Sequence, residues 1–211
     1  MAAAIPALSD ALGSAQLLDV AQAIMTTDSY PKLQVRPFDD GIVAGVAKGA
    51  GMIEPNMGTM LAFVLTDVAI SREQFDRVLG RVIERTFNRI SVDGDQSTSD
   101  IVLGISSGVA KDLLEDESRL SEFERVLEDV CRSLAVDIVR NGEGVRHVME
   151  ISVEGTPDES LAVEIGKGVG NSPLVKTAVF GNDPNVGRLL MAVGDALGNS
   201  RLATASELPL D

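Results

Sequence analysis

Apolar residues recur at helical spacing in several stretches of this chain. The clearest is 117–140, where leucine, valine and phenylalanine side chains return every three or four residues and would form one buried stripe. Another, over 70–87, begins after Ser71 and has Gln74 three residues later, the pattern of a capping box. In all, the pattern predicts helices over 5–25 (broken near Gly13), 70–87, 117–140, 157–170 and 184–197.

Shorter apolar or alternating runs predict strands. The run GIVAGVAK at 41–48 is β-branched and small, and MLAFVLT at 60–66 is apolar throughout, as in a central strand. The segment 101–108 fits either a strand or a buried helix. Further strands are predicted over 89–95, 146–155 and 173–181. Helices and strands mix without strict βαβ alternation, which favours a layered α/β (α+β) sandwich over a doubly wound sheet.

The composition excludes several classes of partner and mechanism. The 211 residues carry a formal net charge of −14, which argues against nucleic-acid or anionic-membrane partners. One cysteine, Cys131, excludes a disulfide framework, and one histidine, His147, excludes a mechanism that needs two imidazoles. The N-terminus lacks the basic region of a secretory signal, and no apolar run reaches about 18 residues. A cytoplasmic protein is therefore expected.

A glycine-rich segment, 48–59, leads into the strand at 60–66 and ends in Gly58-Thr59. Taken alone, it fits an irregular connection between strands. A threonine hydroxyl needs an adjacent base to act as a nucleophile. Cleavage of the chain before the threonine would supply one, because the new α-amine has a pKa of about 7.7–8.0. A small residue such as Gly58 suits the strained turn of the required N-to-O acyl shift.

At this point the sequence resembles the ornithine acetyltransferase (glutamate N-acetyltransferase) family of self-cleaving enzymes with an N-terminal nucleophile. Five blocks match in the family's order and approximate spacing. They are AQAIMTTDSYPK (21–32), VAKGAGMIEPNMGTMLAFVLTD (46–67), TFNRISVDGDQSTSD (86–100), NGEGV (141–145) and NSPLVKTAVFGNDPNVGRLLMAVG (171–194).

The resemblance implies a role for each matching residue. Thr59 would be the nucleophile, freed by cleavage of the Gly58–Thr59 bond, and would carry the acetyl group from N2-acetylornithine to glutamate. Lys48 would contact the substrate, plausibly its carboxylate. Thr27 would hydrogen-bond the substrate, and Glu143 would meet its cationic end. No cofactor and no metal ion is implied.

The resemblance also implies a fold of the ornithine acetyltransferase or DmpA-like type, with two sheets between helices. By this resemblance, 1–211 is one domain. The self-cleavage would divide it into 1–58, the end of the family's α part, and 59–211, which belongs to its β part. The family's chains extend further at both ends. The Thr-Gly pair of their oxyanion hole would lie upstream of residue 1, and their Asn/Thr-containing tail would lie downstream.

Three positions depart from the family's pattern. Gly58 stands where the family usually has alanine, Gln96 where it has threonine, and Val186 where it has tryptophan. The glycine is compatible with self-cleavage. The valine removes a large packing residue.

Two alternatives to the transferase stay open. One is an amidase or aminopeptidase of the same class, which would pass the acyl group to water. The other is a catalytically silent homologue that serves as a binding or assembly module. Whichever function holds, uncovered sheet edges and apolar surface predict a homo-oligomer or association with a complementing chain.

Other motifs favour ordinary structural roles. VDGDQSTSD groups Asp93, Asp95 and Asp100 but lacks the glycine and glutamate positions of a calcium loop, so we expect a turn with a helix cap near the active site. GNDPNVGR (181–188) fits a turn into a capped helix. His147 is expected in a strand without a catalytic part, and Cys131 in the core.

Overall fold

The computed structural model describes residues 6–7, 13, 16–54, 60–97, 99–110 and 117–200. These residues form one four-stranded sheet and six helices, with a short 3₁₀ helix at Phe87–Arg89. The strands are β1 (Lys32–Phe38), β2 (Gly41–Lys48), β3 (Leu61–Thr66) and β4 (Ile101–Ser106). The helices are α1 (Leu17–Ala23), α2 (Arg72–Arg85), α3 (Glu117–Arg140), α4 (Glu159–Asn171), α5 (Pro173–Phe180) and α6 (Val186–Asn199).

The sheet has the order β1-β2-β3-β4. Strands β1, β2 and β3 are antiparallel neighbours, whereas β4 runs parallel to β3. A parallel neighbour requires a crossover connection, and α2 lies on that connection. β3 is internal, as apolar residues on both of its faces predict. β1 was not predicted: its polar and apolar residues alternate, but Pro37 lies within the run, and a proline there counts against a strand prediction.

Helix α3 packs across β1 and β2, and α2 packs against α3 and β4. Close packing depends on two glycines of the sheet. A Cβ on Gly45 would lie 2.7 Å from Leu134 Cδ1, and one on Gly104 would lie 2.9 Å from side-chain atoms of Leu79 and Phe75. The resulting layered α/β architecture confirms the predicted fold class, while the second sheet that the resemblance implies stays a prediction.

Helix capping explains why several helix predictions are accurate. The Ser71 hydroxyl accepts a hydrogen bond from the N–H of Gln74 at 3.2 Å and donates one to its side chain. The Asp158 carboxylate accepts from the N–H of Leu161 at 2.9 Å at the start of α4. The predicted helix over 117–140 matches α3 at both ends, and Cys131 is buried in the core as expected.

The strand predicted over 173–181 is wrong, because this segment forms α5. Ser172 caps the helix by accepting from the N–H of Val175, and Pro173 occupies the first turn, where its missing N–H costs nothing. The apolar run LVKTAVF is too short to distinguish the helical repeat from the alternation of a strand, so the caps at its ends decide that it is a helix.

The strands predicted over 89–95 and 146–155 are also wrong. In the first, Arg89 closes the 3₁₀ turn, and the segment after it belongs to no sheet. In the second, Met149 and Val153 pack against the cluster formed by α4, α5 and α6 rather than against a neighbouring strand. His147 therefore lies in an exposed segment outside any strand.

Strands β2 and β3 lie on opposite sides of the predicted division at residue 58, and they pair along their length. In the part of the chain that the structure describes, no helix is long and apolar enough to cross a membrane.

Candidate functional site

A cleft with a volume of about 430 Å³ opens where β2 ends. Its walls come from four separate stretches: the segment after α1, the end of β2 with the loop beyond it, the segment before β4, and the turn after α3. The side chains and loop that line it are Thr26, Thr27, Lys48, Asp93, Asp95, Glu143 and the loop 49–52.

The cleft brings together three residues that the sequence singles out. Thr27 follows α1, Lys48 is the last residue of β2, and Glu143 lies in the turn after α3. The other predicted site residues, Gly58 and Thr59, lie outside the described residues.

The glycine-rich loop lines the cleft with its backbone, and its glycines leave space for the neighbouring side chains. A Cβ on Gly51 would lie 2.9 Å from Glu143 Oε1, so a side chain at this position would push the carboxylate out of its place beside the loop. The N–H of Glu143 donates to the carbonyl of Ala50 at 3.0 Å. The loop and the turn after α3 therefore form one continuous wall.

Asp93 holds the same loop from the other side. Its carboxylate accepts from the N–H groups of Met52 at 2.7 Å and Ile53 at 2.9 Å, and from that of Asp95 at 3.1 Å. The helix cap predicted for this motif is therefore not what Asp93 provides: its carboxylate caps the backbone N–H groups of a loop instead. The carboxylate of Asp100 accepts from the N–H of Met60, next to β3.

Glu54 fixes the far end of the loop. Ser91 Oγ donates to Glu54 Oε2 at 2.9 Å, and the ammonium of Lys167 lies 3.9 Å from Glu54 Oε1. Burial lowers the pKa of Lys167, although Glu54 opposes the shift. The loop is therefore tied to α4 as well as to the segment before β4.

The charges around the cleft suit a zwitterionic ligand. Lys48 supplies a cation, and Glu143, Asp93 and Asp95 supply three carboxylates. Asp93 is occupied by backbone N–H groups, which leaves Lys48, Glu143 and Asp95 as the charged groups that can face a ligand. Asp95 was not among the predicted site residues. The signal for it was the Asp93-Gly94-Asp95 turn, in which Asp93 accepts from the N–H of Asp95 and which lies at the edge of the cleft.

The remaining candidate motifs are structural. Asn185 caps α6 by accepting from the N–H of Arg188 at 3.2 Å, so GNDPNVGR leads into a capped helix as predicted. Neither His147 nor Cys131 lines the cleft. Within the described ranges, no group of three or more histidine, cysteine or carboxylate side chains is arranged to hold a metal ion.

The chain matches the family model of the ArgJ family over residues 1–207. It is 47% identical over 196 residues to the arginine biosynthesis bifunctional protein ArgJ of Geobacter sulfurreducens, a match that covers 90% of this chain and 50% of that protein. It is 48% identical over 183 residues to the glutamate N-acetyltransferase of Methanocaldococcus jannaschii, covering 84% of this chain and 45% of the relative.

A solved structure of an ArgJ protein also matches this chain. The crystal structure of arginine biosynthesis bifunctional protein ArgJ from Bacillus halodurans matches with a TM-score of 0.63 and 38% identity, covering 65% of this chain and 66% of that one. The chain spans about half the length of the sequence relatives it matches.

Proposed function

Because this chain belongs to the ArgJ family, we propose that it acts as a glutamate N-acetyltransferase of arginine biosynthesis. The observation that carries the proposal is the cleft at the end of β2, where Lys48, Thr27 and Glu143 meet. Its charges match an amino acid that presents a carboxylate and an ammonium group. The proposed location is the cytoplasm, where such biosynthesis would take place.

The proposed reaction begins with self-cleavage. Thr59 Oγ attacks the carbonyl carbon of Gly58, the peptide C–N bond breaks, and the chain is joined for a moment through an ester. Water hydrolyses the ester, which leaves a carboxylate on Gly58 and a free α-amine on Thr59. That amine is then the base the hydroxyl needs.

Acetyl transfer follows in two steps. Thr59 Oγ attacks the acetyl carbonyl of N2-acetylornithine, its proton passes through the α-amine to the leaving nitrogen, and ornithine departs. The amine of glutamate attacks the resulting acetyl ester, and N-acetylglutamate leaves with Thr59 regenerated.

The described residues next to Thr59 support its role. Met60, bonded to Thr59, is buried, and Asp100 holds its N–H. Leu61 pairs directly with Lys48 across the sheet. These contacts hold Met60, the residue bonded to Thr59, next to the end of β2 that lines the cleft, which supports a nucleophile at position 59. In this proposal Lys48 binds the substrate carboxylate, Glu143 binds the ammonium end and Thr27 donates a hydrogen bond.

The test is an intact mass measurement of the purified chain and of its Thr59→Ala variant, followed by an assay for N-acetylglutamate. We expect fragments 1–58 and 59–211 from the unaltered chain and a single species from the variant. Cleavage with release of acetate instead of transfer would favour the amidase. An uncut chain that nevertheless binds ornithine would favour the silent binding module.

We further propose that the remaining part of the family's polypeptide covers one face of the sheet. This face, the open sheet face, is formed by alternate residues of the four strands. Its exposed part is apolar, whereas Ala44 and Val46 of β2 lie on it but are buried. Ile101, Leu103 and Ile105 of β4 are 53%, 45% and 46% exposed, and Val35 and Ile42 lie on the same face. The chain matches only half of its relatives' length, so the other half is the natural occupant.

Co-expression with the unmatched part of the Geobacter sulfurreducens relative tests this pairing, with molar mass measured by light scattering. We expect a one-to-one complex that a Leu103→Lys change weakens. A dimer of this chain alone, disrupted by the same change, would instead identify a second copy as the occupant.

A further inference from the structure

A buried polar cluster lies directly behind the cleft. Its members are Asp28, Lys32 and Asn141, from the segment after α1, the start of β1 and the end of α3. The side chains of Asp28 and Lys32 are both 0% exposed and form an ion pair. Lys32 Nζ also donates to Asn141 Oδ1 at 2.8 Å. None of the three lines the cleft.

Asp28 holds two walls of the cleft by their backbones. Its Oδ1 accepts from the N–H of Gly49 at 2.7 Å, next to Lys48. Its Oδ2 accepts from the N–H of Thr26 at 3.1 Å, next to Thr27. One carboxylate therefore fixes the spacing of two residues that the proposed reaction uses.

Asn141 extends this connection to the third wall. Its Oδ1 accepts from the N–H of Ser29 at 3.0 Å as well as from Lys32, and two residues later the chain reaches Glu143. The cluster thus joins the segments that carry Thr27, Lys48 and Glu143.

Stability alone does not account for such a pair. The cost of removing two charges from water generally cancels most of their attraction, and an apolar pair of similar volume is often as stable. A carboxylate, however, can accept several N–H bonds at once, which an apolar side chain cannot. The cluster is suited to fixing backbone positions.

We propose that Asp28, Lys32 and Asn141 are positioning residues, which set the geometry of the cleft by pinning three of its four walls to one buried centre. Lys32 compensates the charge of Asp28 and links it to Asn141. The arrangement of the walls is independent of the ligand, and only the identity of the ligand rests on the proposed function.

The double variant Asp28→Asn/Lys32→Met tests the proposal without changing the net charge. The amide carbonyl introduced at position 28 can still accept one backbone N–H, but the amide nitrogen would face a second donor, so one wall loses its anchor. The control is Val78→Ala in α2, a core change remote from the cleft that also lowers stability.

The first readout is hydrogen exchange of the unaltered chain and both variants, which needs no ligand. In the double variant, we expect exchange of segments 24–30 and 46–54 to rise by about tenfold relative to the control, while α3 matches the control. A uniform rise across all segments would overturn the proposal.

The second readout is calorimetric binding of N2-acetylornithine. We expect affinity to fall by about tenfold in the double variant and to stay unchanged in Val78→Ala. Equal affinity in both would overturn the proposal. No binding by the unaltered chain would count against the proposed substrate, while the exchange result would still decide the positioning role.

If the double variant does not fold, Asn141→Ala tests the positioning role in its place. It keeps the ion pair but removes the acceptor for Lys32 and for the N–H of Ser29. We expect faster exchange in segments 26–30 and 141–145 than in Val78→Ala, and unchanged exchange there would contradict the proposal.

Discussion

The glycine at position 51 shapes the cleft, because it leaves room for the carboxylate of Glu143 beside the loop. Gly51 runs so close to Glu143 that an added methyl group would lie 2.9 Å from Oε1 and 3.0 Å from Cδ. The neighbour is the flexible end of a side chain, so the carboxylate would turn away rather than the backbone move. Gly51→Ala is therefore expected to cost under about 1 kcal/mol of stability.

Its effect on binding should be larger than its effect on stability. Displacing Glu143 removes the acceptor proposed for the ammonium group, so we expect calorimetric affinity for N2-acetylornithine to fall by about tenfold. Unchanged affinity would show that Glu143 does not face the ligand in the position the structure gives it.

Cys131 provides a second prediction at the level of one residue. Burial in the core, with the nearby charge of Glu128, raises the pKa of its thiol to about 12. Because the thiolate is the reactive form, the folded protein should not react with a thiol reagent at pH 8. Labelling should begin only when urea unfolds the chain, and rapid labelling of the native protein would contradict this burial.

Among the elements, α2 offers two changes with opposite expected effects. Ser71→Ala removes the N-cap and should destabilise the protein by about 1 kcal/mol. Gly80→Ala fills open space on the exposed face of the same helix and should stabilise it by about 0.5–1 kcal/mol.

Urea unfolding of both variants measures these effects, with the unaltered chain as reference. A stabilising Ser71→Ala would show that tertiary packing, rather than the cap, sets the start of α2. A destabilising Gly80→Ala would show that position 80 is not open as the structure has it.

For the molecule as a whole, the buried ion pair predicts sensitivity to acid. Burial alone would raise the pKa of Asp28, but hydrogen bonds from Gly49, Lys32 and Thr26 outweigh it, so the pKa lies below its ordinary value of 3.8. Glu124 also has a lowered pKa, because Arg81 and Arg85 hydrogen-bond to it. Both groups bind protons more readily in the unfolded chain.

Stability from these groups is therefore present above their ordinary pKa values and is lost as pH falls through the lowered ones. Urea midpoints measured from pH 7 to pH 3 should fall steeply below about pH 4. The fall should be shallower in Asp28→Asn/Lys32→Met, which lacks the first group. An equally steep fall in that variant would mean that Asp28 is not the acid-sensitive carboxyl.

Part of this molecule follows from the chain alone. The helix at 117–140 and the capped helix after Ser71 were predicted, because their apolar spacing spans several turns and the Ser71 cap is local. The five family blocks were enough to single out Thr27, Lys48 and Glu143, since short motifs record residue type and order.

Tertiary structure decided the rest. The segment 173–180 could satisfy either period, and its caps and its packing with α4 and α6 made it a helix. The loop-capping role of Asp93, the cleft-facing position of Asp95 and the buried centre at Asp28, Lys32 and Asn141 join residues up to 112 positions apart. Local sequence determines which residues are available, whereas only the packing of distant segments against one another brings those residues within hydrogen-bonding distance.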